Sequence, residues 1–200
     1  EENVYVMDHG NRVQVFDPEG RLLREWGEYD EEYEFSFAFG VAVDGEGKFY
    51  GAVSHLHWIQ VFDSEGRFLD MWGGYGEEEG EFHGPMGIAV DSQERLYVAD
   101  SLNHRIQVFD LEGRFLCEWG TKGEGNGEFN QPWGIAVDGE GRVYVTDWLN
   151  HRIHVFERVS VSGLTDRQTT GLQETSTAVP PIPVFRDRVR HATFGEGMVM

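Results

Sequence analysis

Short hydrophobic stretches alternate with polar turns along most of the chain. Each stretch is rich in β-branched and aromatic residues and is bounded by turn-forming residues, a pattern typical of β-strands. The turns supply Gly where tight hairpins require a positive φ angle. In the clearest part of the chain, which we use to name strands a to d in order, four such stretches occupy residues 87–91, 96–100, 105–110 and 114–119.

The same four-strand unit recurs at a nearly constant period. The dipeptide Val-Phe begins at Val15, Val61, Val108 and Val155, so its spacing is 46, 47 and 47 residues. Two further markers keep this period: Trp-Gly begins at Trp26, Trp72 and Trp119, and Gly-x-Ala-Val-Asp begins at Gly40, Gly87 and Gly134. Four short strands per unit at this period predict the blades of a β-propeller.

Two whole blades and two partial ones account for residues 1–157. The pattern begins at strand b, at residues 4–8, and stops after strand c, at residues 153–157, so the blades hold three, four, four and three strands, or fourteen in all. We predict blades at 1–27, 28–73, 74–120 and 121–157. This all-β arc of about 3.5 blades cannot close on itself, and a head-to-tail pair of chains fails in the same way, because neither end supplies the strands that the other lacks. We therefore expect an open partial propeller.

An arc that does not close leaves the outer surfaces of its first and last blades uncovered. Hydrophobic side chains of the core type are then exposed at both ends, and we expect the chain to associate in solution. The residues predicted to be exposed are Val4, Val6, Val13, Val143 and Val145.

The repeat unit resembles the NHL repeat over residues 3–157. The resemblance rests on Gly-x-Ala-Val-Asp, Tyr-Val-Ala-Asp and Gly-x-Phe-x-x-x-Trp-Gly segments, and it is strongest at residues 103–106 and 150–153, which both have the sequence Asn-His-Arg-Ile. It implies a propeller that usually has six blades, so the chain is expected to be a fragment whose partners include the missing blades of its own full-length protein. The resemblance does not fix an activity, because propellers serve as scaffolds, nucleic-acid binders and enzymes.

The repeat pattern stops after Glu157. Residues 158–183 contain eight Ser or Thr, three Pro and no aromatic residue, which predicts a disordered linker. Residues 184–200 regain strand character and are predicted to be a truncated basic β segment. Residues 185–200 are similar to the beginning of the C-terminal Tudor-like module of bacterial repair-type DNA helicases; the alternatives are an unrelated basic β-hairpin and sequence from an adjacent reading frame.

The chain is strongly acidic, with 16 Lys plus Arg against 36 Asp plus Glu and a net charge of −20. Nucleic-acid binding requires several free cations on one surface, so we expect no nucleic-acid partner for the propeller body. No stretch has the roughly 18 apolar residues that a membrane span needs, so no membrane span is predicted. Cys117 is the single cysteine and does not indicate a compartment, so localisation stays open.

Residues that recur in every blade are explained by the blade itself. An Asp at the end of strand b recurs with an Arg at the start of strand c, and we predict that the two clasp the turn between these strands through an ion pair and hydrogen bonds. The predicted clasp residues are Asp8 and Arg12 in the first blade, Asp100, Asn103 and Arg105 in the third, and Asp147, Asn150 and Arg152 in the fourth.

Specific binding chemistry is expected where the blades differ. The second blade has Val53 and Trp58 in place of the clasp Asp and Arg, and the residue before the strand-a glycine varies from blade to blade. We predict a partner-binding patch on the propeller face that carries the b-to-c turns and the acidic connectors between blades; the alternative is drift of a degenerate repeat. The patch comprises Phe39, His55, His57, Trp58, Met86, Leu102, Trp133 and Trp148.

These features predict a non-catalytic binding or scaffold propeller that holds a protein or peptide partner. The chain has no Gly-x-Ser-x-Gly, His-Glu-x-x-His or Asp-x-Asp-x-Asp-Gly motif, so no catalytic residue, cofactor or metal site is predicted. The alternative is a metal-dependent hydrolase or lyase, similar to the lactonases and amidating lyases among related propellers. Its metal ligands would lie in the missing blades, since the strand-a runs offer none.

Overall fold

The computed structural model of the chain describes residues 3–8, 12–27, 38–159 and 184–187. Their strands form four antiparallel sheets, which are the four blades. The first blade contains β1 (Val4–Met7), β2 (Val13–Phe16) and β3 (Leu22–Trp26), and the second contains β4 (Ala38–Val43), β5 (Phe49–Val53), β6 (Trp58–Phe62) and β7 (Phe68–Gly73). The third contains β8 (Pro85–Val90), β9 (Arg95–Asp100), β10 (Arg105–Asp110) and β11 (Phe115–Trp119), and the fourth contains β12 (Pro132–Val137), β13 (Val143–Asp147), β14 (Arg152–Val159) and β15 (Val184–Asp187).

The described residues confirm the all-β prediction, with strands paired in chain order in each sheet: b to d in the first blade and a to d in the other three. Single 3₁₀ turns at Ser101–Asn103 and Trp148–Asn150 join strands b and c in the last two blades. In this part of the chain no helix has the length and hydrophobicity needed to cross a membrane.

The fourth blade has one strand more than the sequence predicts. All fourteen predicted strands are present, and β15 pairs antiparallel with β14 as the outermost strand of that blade. The sequence gives no signal for this pairing, because the Asp-x-Glu-Gly turn that joins strands c and d elsewhere is missing after Glu157. Residues 160–183 of the predicted linker and residues 188–200 of the predicted basic segment lie outside the described residues.

The hydrophobic core lies between the blades. Alternate residues of a strand point to opposite faces of its sheet, so each blade offers one set of side chains to the blade before it and another set to the blade after it. Between the third and fourth blades these sets meet in one buried cluster. It contains Tyr97, Ala99, Ile106 and Val108 of the third blade and Phe129, Val143, Val145 and Phe156, which belong to the fourth blade and the connector leading to it.

The inner strands of neighbouring blades approach each other at glycines. A Cβ atom on Gly87 would lie 2.5 Å from the carbonyl oxygen of Trp133 and 3.0 Å from the Cα atom of Gly134. Gly40 has the same relation to the backbone of Met86 and Gly87. The glycine of the repeated Gly-x-Ala-Val-Asp segment is therefore required because strand a of one blade packs backbone to backbone against strand a of the next.

The outer strands contribute a second contact between blades. The ring of Trp72 packs over Gly113, which lies in the c-to-d turn of the next blade, and over the ring of Phe109, whose centroid is 4.6 Å away. Gly113 also has a φ angle of 79°, so a side chain there would be strained as well as blocked by the indole. Trp26 and Gly66 repeat this arrangement between the first and second blades.

The two end blades have uncovered faces, as predicted, but three of the five residues assigned to them were wrong. Val4 and Val6 are 52% and 41% exposed, whereas Val13, Val143 and Val145 are 0% exposed. Val143 and Val145 point toward the third blade and belong to the buried cluster between the third and fourth blades. Val13 belongs to the face that packs against the second blade.

The turns between strands a and b hold their carboxylates with several hydrogen bonds. Asp138 accepts hydrogen bonds from the amides of Glu140 and Arg142, from the Arg142 guanidinium at 2.6 Å, and from the Tyr144 hydroxyl at 3.0 Å. Desolvation raises the pKa of this carboxyl, but the hydrogen bonds outweigh it and lower the pKa to about 2. A carboxyl with a depressed pKa stabilises the folded state above its ordinary pKa, and this contribution is lost as the pH falls through the folded value.

We expect Asp138→Asn to reduce stability at neutral pH and to weaken the loss of stability between about pH 4 and pH 2. The physical reason is that the amide of Asn cannot gain stabilisation from ionisation. Urea midpoints measured by circular dichroism across this pH range test the expectation, with Glu79→Gln on an exposed connector as the control. An unchanged acid dependence in Asp138→Asn would contradict it.

We expect Gly87→Ala to lower the free energy of unfolding by about 1–3 kcal/mol, because the new methyl group is forced against the backbone of the fourth blade. Gly134 occupies the equivalent position, but a Cβ atom there would meet only the Thr146 side chain, at 3.2 Å. Gly134→Ala is therefore the matched control and is expected to be tolerated much better. Equal losses in the two variants, measured by chemical denaturation, would rule out the backbone contact as the cause.

Candidate functional site

One face of the arc carries the loops that differ most between blades. We call it the connector face and define it by the connectors between blades, residues 74–84 and 121–131, and the b-to-c turns, residues 54–57, 101–104 and 148–151. The predicted acidic connector at residues 28–34 lies outside the described residues. The opposite face carries the Asp-x-Glu-Gly type turns.

The clasp of the third blade holds the connector as well as the turn. The Asp100 carboxylate accepts hydrogen bonds from Arg105 Nε at 2.8 Å, from Asn103 Nδ2 at 2.9 Å and from the amide of His83 at 2.8 Å. Arg105 also donates to the backbone carbonyls of the connector, at Glu77, Glu78 and Glu81. Because the Asp100 side chain is fully buried and that of Arg105 is 9% exposed, this is a buried ion pair with additional hydrogen bonds.

The fourth blade repeats the clasp with its own residues. Arg152 Nε donates to Asp147 at 2.8 Å, Asn150 Nδ2 donates to the same carboxylate at 2.7 Å, and Arg152 also donates to backbone carbonyls of the connector at residues 124–128. In the first blade Arg12 donates to Asp8 at 2.7 Å, but this pair is partly exposed. The structure thus brings all the predicted clasp residues into contact within their blades.

Sequence reasoning missed one member of the clasp. Gln107 is fully buried on strand c; its Nε2 donates to the carbonyl of Glu81 at 2.7 Å, and its Oε1 accepts from the amide of Gly80 at 3.0 Å. His154 takes this position in the fourth blade, with Nε2 3.2 Å from the Asp147 carboxylate. The available signal was that every strand c has a polar residue at this position: Gln14, Gln60, Gln107 or His154.

The second blade replaces the clasp with apolar groups. Val53, in place of the Asp, is 1% exposed, and Trp58, in place of the Arg, is partly buried and pairs with Val53 across the two strands. Val53 has no carboxylate and Trp58 has no guanidinium. The second blade therefore lacks the groups with which Asp100 and Arg105 hold the turn and the connector of the third blade.

His57 has a structural contact that the sequence did not reveal. It adopts a φ angle of 63°, and its Nδ1 accepts a hydrogen bond from the amide of Gly84 at 3.0 Å, which links the b-to-c turn of the second blade to the following connector. His104 makes the same contact one blade later, with the amide of Gln131 at 3.2 Å. Burial, together with the nearby His83, lowers the pKa of His57, and burial also lowers the pKa of His104, so both rings are neutral acceptors at neutral pH.

Four residues of the predicted patch lie together, and we call them the inner cluster: Phe39, Met86, Trp133 and Trp148. The first three immediately precede the glycines through which neighbouring inner strands approach each other. The ring centroids of Phe39 and Trp133 are 6.1 Å apart, and those of Trp133 and Trp148 are 4.7 Å apart. Phe39 and Trp148 are 54% and 51% exposed, so the cluster presents aromatic surface to solvent.

The other four predicted residues lie on the b-to-c turns or at their ends. His55, His57 and Trp58 belong to the second blade, and Leu102, which is 41% exposed, belongs to the third. The structure therefore divides the predicted patch into an aromatic cluster at the inner strands and a set of residues farther out along the turns.

A cavity adjoins the inner cluster. It has a volume of about 740 Å³ and is lined by Trp133 and Trp148 together with Thr146, His151 and Ile153 of the fourth blade. Its size falls in the range of sites that take a small molecule or a few side chains of a peptide.

Negative charge is unpaired on the connector face and paired on the opposite face. Arg105 and Arg152 bind backbone carbonyls of the connectors, and within the described part of the chain no cation pairs with the exposed carboxylates of Glu77, Glu79 and Glu124. On the opposite face, Glu65 pairs with Arg67 at 2.7 Å and Glu112 pairs with Arg114 at 2.9 Å. The connector face therefore carries the stronger negative potential.

The described residues contain no group of three or more His, Cys, Asp or Glu side chains placed to hold one metal ion. Cys117 lies on β11, and burial raises the pKa of its thiol to about 11, which keeps it protonated at neutral pH.

Comparison with known proteins identifies the class of fold. The sequence model of the NHL repeat matches residues 82–109 and 129–156, so the predicted NHL repeats are confirmed in these two stretches. The chain is an open β-propeller arc that carries NHL repeats. No curated protein matches the sequence.

Solved structures with the same fold have little sequence identity with this chain. A streptogramin B lyase is 16% identical with a TM-score of 0.58, and the match covers 78% of this chain and 48% of that one. A virginiamycin B lyase from Staphylococcus aureus is 15% identical with a TM-score of 0.53, covering 76% and 48%. The WD40 repeats of RRP9 are 12% identical with a TM-score of 0.55, covering 76% and 44%. The chain thus spans about half the length of these proteins, and the likeness shows the propeller fold alone.

We expect Arg105→Met to reduce the free energy of unfolding by about 3–5 kcal/mol, because it leaves the buried Asp100 carboxylate without its cation and the connector carbonyls without their donor. Arg67→Met is the matched control. Arg67 pairs with Asp63 at 2.6 Å, but its side chain is 74% exposed, so its loss should leave the denaturation midpoint nearly unchanged. Similar midpoints for the two variants would show that the clasp is not a determinant of stability.

Proposed function

We propose that the chain is a binding propeller that holds a peptide segment of a protein partner at the inner cluster on its connector face. The exposed aromatic group formed by Phe39, Trp133 and Trp148 is the observation that carries the proposal. Exposed aromatic residues supported by a rigid scaffold are typical anchors of protein interfaces, because they bury a large apolar area with little loss of side-chain freedom. The inner strands β4, β8 and β12, which begin at this cluster, are fixed by the contacts between blades.

The unpaired glutamates on the connector face favour a partner segment with Lys or Arg side chains. The carboxylates of Glu77, Glu79 and Glu124 have no cation to pair with among the described residues, so a cationic segment would gain attraction without breaking an existing ion pair. An aromatic or aliphatic side chain of the same segment would enter the cavity beside Trp133 and Trp148. Charge would contribute mainly to the rate of encounter and to specificity, and the aromatic contacts would contribute mainly to affinity.

A hydrolase or lyase is the second candidate function, and the fold shared with two lyases is what favours it. The aromatic residues of the inner cluster offer no acid or base. The adjoining cavity is also lined by His151 and by Asp147 and Arg152, which pair with each other, so a metal-dependent reaction would need further ligands from outside the described part of the chain. Elemental analysis of the full-length protein tests it: a stoichiometric metal ion would support this candidate, and its absence would argue against a metal-dependent reaction.

We expect Trp148→Ala and Phe39→Ala each to weaken peptide binding by roughly 30-fold, the equivalent of about 2 kcal/mol for a binding hot spot. The probes are fluorescein-labelled peptides selected by phage display against the chain, and dissociation constants are measured by fluorescence anisotropy. Leu69→Ala, which removes a 49% exposed side chain from the outer strand β7, is the matched control and should bind like the parent. Circular dichroism checks that each variant is folded.

The same assay tests the charge argument separately. The selected peptides are expected to contain Lys or Arg, and their affinity should fall when salt is raised. Unchanged binding by both aromatic variants would overturn the proposed site. Retained aromatic dependence with no preference for cationic peptides would overturn only the proposed partner chemistry.

A further inference from the structure

A second group of rings lies on the connector face, at the joint between the second and third blades. We call it the ring triad and define it as His57, Tyr75 and His83. The ring centroid of Tyr75 is 5.1 Å from that of His57 and 4.9 Å from that of His83, at angles of 56° and 78°, so neither imidazole stacks parallel on the phenol. Tyr75 is 68% exposed, a larger fraction than for any member of the inner cluster. The triad therefore offers an aromatic surface to solvent that the inner cluster does not include.

Backbone hydrogen bonds fix the position of Tyr75. On one side of it, the amide of Gly74 donates to the carbonyl of His57 at 2.9 Å. On the other side, the amide of Gly76 donates to the carbonyl of Phe82 at 3.2 Å. The surface is thus ordered before a ligand arrives, and binding to an ordered surface loses little conformational entropy.

The connector that carries Tyr75 is strongly negative. Residues 74–84 include four glutamates and no Lys or Arg, and the three glutamates at residues 77–79 are exposed. Arg105 lies against the backbone of this connector, but it pairs with two carboxylates of its own blade, Asp100 and Glu118, and adds no net positive charge. Within the described part of the chain, the negative charge next to the ring triad is therefore not neutralised.

The joint between the third and fourth blades carries a cation of its own at the equivalent place. Lys122 occupies the position of Tyr75 one repeat later, in a backbone bridge of the same kind. Burial, and after it the charge of Lys122, lower the pKa of His104, which is the equivalent of His57, so the ammonium group lies near that ring. The connector there, residues 121–131, has only two glutamates. The fold thus accommodates a cation beside a joint histidine, and at the more acidic joint an exposed aromatic ring stands in its place.

We propose that the ring triad binds the guanidinium group of an Arg side chain from the partner, with the ring of Tyr75 as the stacking surface and the glutamates at residues 77–79 as the counter-charges. Arginine is the occupant because its planar group stacks on aromatic rings, is less strongly hydrated than an ammonium group and has N–H donors that match carboxylates. The inference rests on the proposed function in that the arginine belongs to the segment held at the inner cluster. It adds which side chain of that segment is recognised, and where.

The first test uses a probe that needs no inner cluster. The whole chain is labelled with 3-fluorotyrosine and titrated with N-acetyl-arginine methylamide, and the ¹⁹F NMR signal of Tyr75 is identified by its absence from Tyr75→Phe. We expect a saturable shift of this signal. N-acetyl-citrulline methylamide has nearly the same shape without the charge and should bind at least about 5-fold more weakly, as expected for the loss of a cation–π contact.

Two variants locate the probe. Glu77→Gln combined with Glu79→Gln removes two counter-charges and should weaken arginine binding by roughly 5-fold. Lys122→Gln, which changes a charge at the equivalent position of the next joint, is the matched control and should leave the titration unchanged. Absence of a saturable shift, or equal binding of the citrulline probe, would overturn the proposal. Equal binding of N-acetyl-lysine methylamide would overturn the choice of arginine.

The second test links the site to the partner segment. A selected peptide that contains Arg is compared with its citrulline counterpart by fluorescence anisotropy. Tyr75→Lys installs the residue that the next joint carries, so it should fold; it should weaken the Arg peptide by roughly 10-fold and leave the citrulline peptide nearly unchanged. Equal affinities of the parent and Tyr75→Lys for the Arg peptide would contradict the proposal.

The two tests separate this inference from the proposed function. Peptide binding that depends on Trp148 but not on Tyr75, in a chain that does not bind the arginine probe, overturns the inference alone. Binding of the arginine probe at Tyr75, with peptides that are insensitive to Trp148→Ala and Phe39→Ala, overturns the proposed site at the inner cluster alone. Circular dichroism of each variant separates loss of binding from loss of folding.

Discussion

The close approach of neighbouring inner strands is the constraint on which the rest of the arc depends. Gly40 and Gly87 allow the backbone of one strand a to rest on the backbone of the next, and no side chain fits between them. This backbone contact sets the spacing of the blades at the centre of the arc. At that spacing the alternate side chains of strands b and c reach across the gap and interlock, and Trp72 reaches the turn of the following blade. The residues that precede these glycines are brought together for the same reason, which is how the inner cluster arises.

The buried clasps determine how charge is distributed over the two faces. Arg105 and Arg152 direct their donors to buried carboxylates and to backbone carbonyls of the connectors, and Arg105 also pairs with Glu118 on β11. They therefore order the acidic connectors without neutralising the connector side chains. On the opposite face, arginines such as Arg67 and Arg114 pair with the carboxylates of their own turns. A chain with one overall composition thus has a face with compensated charge and a face with uncompensated charge, and the second is the face that carries the exposed aromatic residues.

The sequence was sufficient to predict the features that repeat. A period of 46 or 47 residues located the blades, and the recurrence of Asp with Arg located the clasps, since a contact within one blade appears at a fixed spacing. Contacts between blades were harder to predict. The role of His57 depends on the amide of Gly84 in the next connector, and its sequence neighbours do not indicate this. The assignment of Val143 and Val145 to the uncovered face failed because both faces of β13 carry hydrophobic residues. The alternation of residues along this strand therefore did not show which face is buried against the third blade. The pairing of β15 could not be predicted because its connection does not follow the repeat.

The histidines at the joints give the arc a sensitivity to acid that differs from that of its carboxylates. Acceptance of a hydrogen bond by Nδ1 of His57 or His104 requires a neutral ring with its proton on Nε2, and protonation would place a second N–H against the donor amide. Because both pKa values are lowered in the folded chain, these bonds contribute stability that is present above the ordinary histidine pKa of about 6.5 and is lost as the pH falls below it. The backbone hydrogen bonds between the strands of each sheet involve no titrating group. Mild acid therefore weakens the contacts that His57 and His104 make between neighbouring blades, while the backbone hydrogen bonds within each blade stay intact.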